Sequence, residues 1–85
     1  MDLGDIQGAR AAQERALKIK EVTYGPDHPE VAKTLKNLGN TLKDLGDTQA
    51  ARTATIRSHA IFVATLGEEH PLTSIAAQQL SDLDK

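Results

Sequence analysis

An all-α fold, built from helix pairs stacked as repeats, is what this sequence predicts, and three observations predict it. The apolar inventory is helical: twelve Ala and ten Leu stand against Tyr24 and Phe62 as the aromatics. Alanine is the strongest helix former, and strand-like clusters of Val, Thr and aromatic residues are missing. The chain also repeats itself. Residues 43–84 laid under residues 1–42 agree at 15 of 42 positions without a gap. "DLGD" at 2–5 returns at 44–47, Ala9-Arg10 as Ala51-Arg52, and Ile19 as Ile61. A period of this size marks stacked supersecondary units. Finally, "GPDHP" at 25–29 matches "GEEHP" at 67–71, so the same punctuation recurs at the same place in each copy.

The punctuation divides the chain into four antiparallel helices of about 5–24, 29–45, 47–66 and 70–83. The first follows Gly4-Asp5, where Asp5 suits an N-cap. It closes at Gly25, since glycine accepts the left-handed conformation that ends a helix. The second opens at Pro29, because a proline at the first helical position has no N–H to waste. Proline also pushes the preceding residue out of the α region, so His28 is expected as N-cap, or as its neighbour if Asp27 caps. Val31, Leu35, Leu38, Leu42 and Leu45 recur at steps of three and four and form one apolar stripe. Gly39 interrupts this helix. A mid-helix glycine costs about 1 kcal/mol against alanine, which is tolerable where another helix backbone comes close. The third helix follows Gly46, capped by Asp47 or Thr48. The fourth repeats the second, with Gly67, His70 and Pro71 in the same roles.

Eighty-five residues make one domain, 1–85, of two 42-residue units, 1–42 and 43–84. Each unit runs in the order second helix, first helix, so residues 29–66 form the one intact pair. The formal charge of −2 lacks the basic excess of a nucleic-acid binder. No apolar run reaches the roughly 20 residues a membrane span needs. With no cysteine there is no disulfide framework or thiolate metal site. The N-terminus has no basic and apolar leader, and a cytoplasmic protein is expected.

The segment "HPEVAKTLKNLGNTLKDLGDTQAARTATIRSHAIF" resembles the tetratricopeptide repeat, in the 42-residue form of kinesin light chains. Leu35, Leu38, Gly39 and Leu42 match the family's W-x-x-L-G-x-x-Y positions, with Leu at both aromatic places. Ala9 and Ala16, and Ala51 and Ser58, match its small residues on the second helix. The resemblance implies an αα-hairpin solenoid that binds proteins or peptides, without catalysis and without a cofactor. It also implies a concave groove lined by first helices. Lys33, Lys36, Asn37 and Asn40, with Gln78 and Gln79 on the last helix, are then the candidate partner-binding residues. Asn and Gln offer both donor and acceptor to an extended main chain, and Lys attracts acidic groups.

So few large side chains bury little area in so short a chain, and association into a homodimer is expected. Glu14, Lys20 and Glu21 of the first copy correspond to Ile56, Phe62 and Val63 of the second. These three apolar residues are the candidate self-association surface, unless the third helix is merely more buried inside the monomer. Three other readings stand beside this one: a groove for an extended, possibly acidic, peptide; an excised or engineered repeat fragment with no biological partner; and a metal-binding or hydrolase fragment using His28 and His70. The last is weak. Zinc requires three or four ligands in set geometry, no third ligand recurs beside the two histidines, and no nucleophile motif or phosphate loop occurs. No catalytic or metal residue is assigned.

Overall fold

The computed structural model describes residues 3–84, in four helices: α1, Leu3–Tyr24; α2, Pro29–Asp44; α3, Thr48–Leu66; and α4, Pro71–Leu83. These are the four predicted elements, with ends shifted by at most two residues. The outermost residues of the 1–85 domain, Met1, Asp2 and Lys85, lie outside the described residues. Consecutive helices are neighbours, and α2 also touches α4.

Helices α2, α3 and α4 begin where the sequence supplies a cap, whereas α1 already runs through Gly4 and Asp5, so Asp5 lies in its first turn and is not the N-cap expected from the sequence. His28 and His70 are the N-caps of α2 and α4, in extended conformation. The His28 Nδ1 accepts the Glu30 backbone N–H at 3.0 Å, and the His70 Nδ1 accepts that of Leu72 at 3.0 Å. The prolines at 29 and 71 hold the first turn. His28 also stacks on Tyr24, with ring centroids 4.6 Å apart, so the turn between α1 and α2 is packed as well as capped. Asp47 caps α3 through its Oδ1, which accepts the Ala50 N–H at 3.1 Å. Gly25, Gly46 and Gly67 all take positive φ, of 98°, 86° and 89°. Any side chain would be strained there.

The core runs between α2 and α3 and continues under α4. Val31, Leu35, Leu38 and Leu42 of α2 meet Ala51, Ile61 and Phe62 of α3, with Ala76 and Leu83 of α4 joining the cluster. The molecule is 18 Å thick, about the width of two helices. An inner helix is therefore covered on several sides and an outer one is not.

Phe62 shows this directly and corrects a sequence-based expectation. It is 0 % exposed and lies inside the monomer, not on a self-association surface. The reason is its place in the stack. Helix α3 is flanked by α2 and α4, so the position that α1 leaves half open at Lys20 is enclosed in α3. Burying a phenylalanine of this size is worth about 1.5–3 kcal/mol, which makes Phe62 a core anchor.

Gly39 sits where α2, α3 and α4 come closest. A Cβ there would lie 2.5 Å from the Thr55 Oγ1, 2.8 Å from the Gln79 Nε2 and 3.4 Å from the Ala51 carbonyl oxygen. The close approach inferred from the sequence is real, and polar groups span it. The Gln79 Nε2 donates to the Lys36 carbonyl and to the Thr55 Oγ1, both at 3.0 Å. Thr55 donates in turn to the Ala51 carbonyl at 2.8 Å. On the same side the buried Ser58 hydroxyl donates to the Ala32 carbonyl at 2.7 Å. Alanine-rich helices pack close enough for such short side chains to bridge them.

Candidate functional site

Helices α2 and α4, each the first helix of its unit, lie side by side and form an open groove of about 290 Å³. Asn40 and Lys43 line it from α2, and Ile75, Gln78, Gln79 and Asp82 from α4. The spacing explains the selection. Residues 75, 78 and 82 recur at steps of three and four and so share one face of α4, while 40 and 43 share one face of α2.

The groove is amphipathic. Ile75 is 49 % exposed, a large apolar side chain left open among polar ones. Gln78 donates to the Asp82 carboxylate at 3.0 Å, which orders both along the α4 wall. Asn40 and Lys43 are exposed opposite them. Such a surface can hydrogen-bond an extended chain through two amides, pair a charge of either sign through Lys43 and Asp82, and cover one apolar side chain with Ile75.

Of the six partner-binding residues predicted, Asn40, Gln78 and Gln79 line this groove. Gln79 differs from the expectation. It is buried and its amide is spent on Lys36 and Thr55, so it joins helices and does not face a partner. The cause is Gly39, whose missing side chain leaves the gap that Gln79 fills. Lys33, Lys36 and Asn37 do not line the groove. Lys33 pairs with Glu30 at 2.9 Å, and this hydrogen bond and charge lower the Glu30 pKa below the usual carboxylate value. Lys36 is half-buried, with its Nζ 3.4 Å from the Asn37 Oδ1.

Sequence reasoning missed Ile75, Lys43 and Asp82. The signal for Ile75 was present: it stands at the Lys33 position of the other copy, the same charged-to-apolar exchange that drew attention to Ile56 and Val63. Of those two, Ile56 is 47 % exposed and Val63 is half-buried.

His28 and His70 are occupied as caps. Among the described residues, no three of His, Cys, Asp and Glu come together in a way that could hold a metal ion. No described helix is long and apolar enough to cross a membrane.

A second set of contacts ties the helices together, between units and within one. The Arg57 Nη2 donates to the Glu21 carboxylate at 2.9 Å and to the Pro26 carbonyl at 3.0 Å. It fixes α3 to the end of α1 and to the turn beyond it. Arg52 pairs with Asp84 and links the start of α3 to the end of α4.

No curated protein matches the sequence. A family model described as tetratricopeptide repeat matches residues 1–54, more than half of the chain. That match and the four-helix architecture agree, with the small residues of α3 against α2 and a glycine at the closest approach. The chain belongs to the tetratricopeptide repeat family.

Proposed function

We propose that this protein is a non-catalytic interaction module that holds an extended peptide in the groove between α2 and α4. One observation carries the reading: an open groove lined by exposed amides, Asn40 and Gln78, around a half-exposed apolar residue, Ile75. An extended segment presents alternating N–H and C=O groups, which amide side chains satisfy in either direction. Ile75 then selects a peptide with one apolar side chain, and Lys43 and Asp82 set its polarity. An acidic residue belongs beside Lys43 and a basic one beside Asp82. The 42-residue period supports the kinesin-light-chain-like form of the repeat, and a cytoplasmic setting belongs to the same proposal.

A display library of random peptides tests it. Enriched sequences should carry an apolar residue flanked by charges. Their affinity should fall about tenfold or more for Asn40→Ala with Gln78→Ala, which removes two hydrogen bonds of about 0.5–1.5 kcal/mol each. Enriched peptides that bind the double variant unchanged would place the site elsewhere.

A second reading, association between copies, is favoured by the large apolar side chains left open outside the groove. Val22 is 89 % exposed and Ile19 60 %.

A further inference from the structure

We infer that copies of this chain associate head to tail, with α4 of one copy seated on the outer face of α1 of the next. This deepens the second reading above and is independent of the peptide groove.

The internal repeat supplies the geometry. Helices α1 and α3 are equivalent, each the second helix of a hairpin. The face of α3 that meets α2 carries Ala51, Ala54, Ser58 and Ile61, all buried. The equivalent residues of α1 are Ala9, Ala12, Ala16 and Ile19. Here Ala12 is exposed and Ala9 and Ala16 are partly open. Ile61 is 4 % exposed and Ile19, the same residue at the same position, is 60 % exposed. Helix α1 therefore displays a surface whose twin in the same molecule is filled by a first helix.

The end of the molecule offers that helix. In α2 the residues that meet α3 include Ala32, which accepts from Ser58, and Gly39, which lies against Thr55. Their equivalents in α4 are Ser74 and Ser81, with Ala77 between them at the Leu35 position, and all three are exposed. Among the described residues, α4 has no second-helix neighbour on the face where α2 has one, and α1 has no first-helix neighbour on the face where α3 has one. A second copy supplies both at once, in the register that α2 and α3 already use.

Charge follows the same template. Arg57 is held by Glu21 and by the Pro26 carbonyl. Its equivalent, Arg15, is exposed and has no ion pair among the described residues. In the docked pair, Arg15 reaches the neighbouring copy's turn after α3. There Glu68 stands at the Pro26 position and is followed by Glu69. Gln13 takes the Thr55 position and meets Ser81 in place of Gly39. These bulkier residues widen that contact.

Such an interface joins two different surfaces, so it does not close on itself and adds copies in a row. Sedimentation across a concentration series should show the mean mass rising from 9.1 kDa past twice that value. Ile19→Asp on α1 and Ala77→Arg on α4 alter exposed positions, and circular dichroism checks that each variant keeps its helices. Each alone should stay at 9.1 kDa, because each has lost one of its two ends. Mixed in equal amounts, they still hold one sound α1 and one sound α4 between them, and should pair and stop at two chains. Wild-type protein that stays monomeric at high micromolar concentration overturns both this inference and association in general. Association that survives Ile19→Asp, or a wild-type mass that halts at two copies, overturns the head-to-tail geometry and leaves association standing. Peptide binding by the two monomeric variants reports on the groove separately.

Discussion

Replacing Gly39 with alanine sets two effects of known sign against each other. In an open helix the change stabilises by about 1 kcal/mol, since alanine costs less chain entropy. At this position the new methyl would lie 2.5 Å from the Thr55 Oγ1 and 2.8 Å from the Gln79 Nε2. The Gln79 amide ends a flexible side chain and can swing away, at the expense of its bonds to Lys36 and Thr55. Thr55 is short and β-branched and has little freedom in a helix. Moving it breaks its bond to Ala51. Overpacking of this kind costs about 1–3 kcal/mol, and each buried hydrogen bond lost adds about 0.5–1.5 kcal/mol. The steric side wins, with a net destabilisation of about 2 kcal/mol. For a chain of this length that lowers Tm by roughly 8–16 °C. Urea and thermal melts followed by circular dichroism measure it directly. The decisive control is Gly39→Ala made in a Thr55→Ala background. With the hydroxyl gone, the methyl meets the mobile Gln79 amide and, at ordinary contact distance, the Ala51 carbonyl oxygen, and alanine should become neutral or stabilising. A reversal of about 2 kcal/mol lies within the coupling measured between contacting residues. If Gly39→Ala is as stable as wild type, or if its cost is the same in both backgrounds, then the close approach of α2 and α3 is not what requires glycine.

Two further substitutions probe the caps and the core. His28→Ala and His70→Ala should each cost about 0.5–2 kcal/mol in urea melts, the usual worth of an N-cap, whereas asparagine, which supplies an acceptor at the same place, should restore most of it. Phe62→Ala should cost about 3–5 kcal/mol and leave the chain largely unfolded; a folded variant with only its association state changed would return Phe62 to the surface.

Most of the fold was legible because its signals are local. The caps of α2, α3 and α4, the prolines and the positive-φ glycines each need only a few neighbouring residues to be read, and they fall within two residues of the sequence-based boundaries; Asp5, read in the same local way as the cap of α1, lies inside its first turn. Gly39 could also be read, since its cost in a helix demands a cause. Less of the site was legible. Asn40 and Gln78 were found through the family's groove, but Gln79 was assigned to the same surface although it turns inward. Side-chain direction at adjacent helical positions differs by about 100°, and which of the two faces the groove depends on the tilt of α4 against α2. Nothing local to Gln79 records that Thr55 and the Lys36 carbonyl are waiting beneath it.

The misplacement of Phe62 has a more general cause, and it tells how two copies of a repeat should be compared. A charged residue in one copy that becomes apolar in the other, as Lys20 becomes Phe62, is not by itself the mark of an exposed sticky patch. In a stack, burial depends on how many neighbours a helix has, and residue type follows burial. An inner helix can carry phenylalanine because it is covered, and the outer helix carries lysine because it is not. The informative comparison is the opposite one, in which the residue is unchanged while its surroundings differ. Ile19 and Ile61 are identical, yet one is 60 % exposed and the other 4 %. An outer helix that keeps the isoleucine its inner twin buries has kept a surface fit for another helix, and α1 keeps Ala9 and Ala12 with it, unchanged between the copies. The exchange of Lys33 for Ile75 is a third case, because Ile75 is open although it lies on a helix that touches α2. There the apolar residue is neither enclosed by the stack nor part of the end face, which leaves the groove as the place where it can be covered.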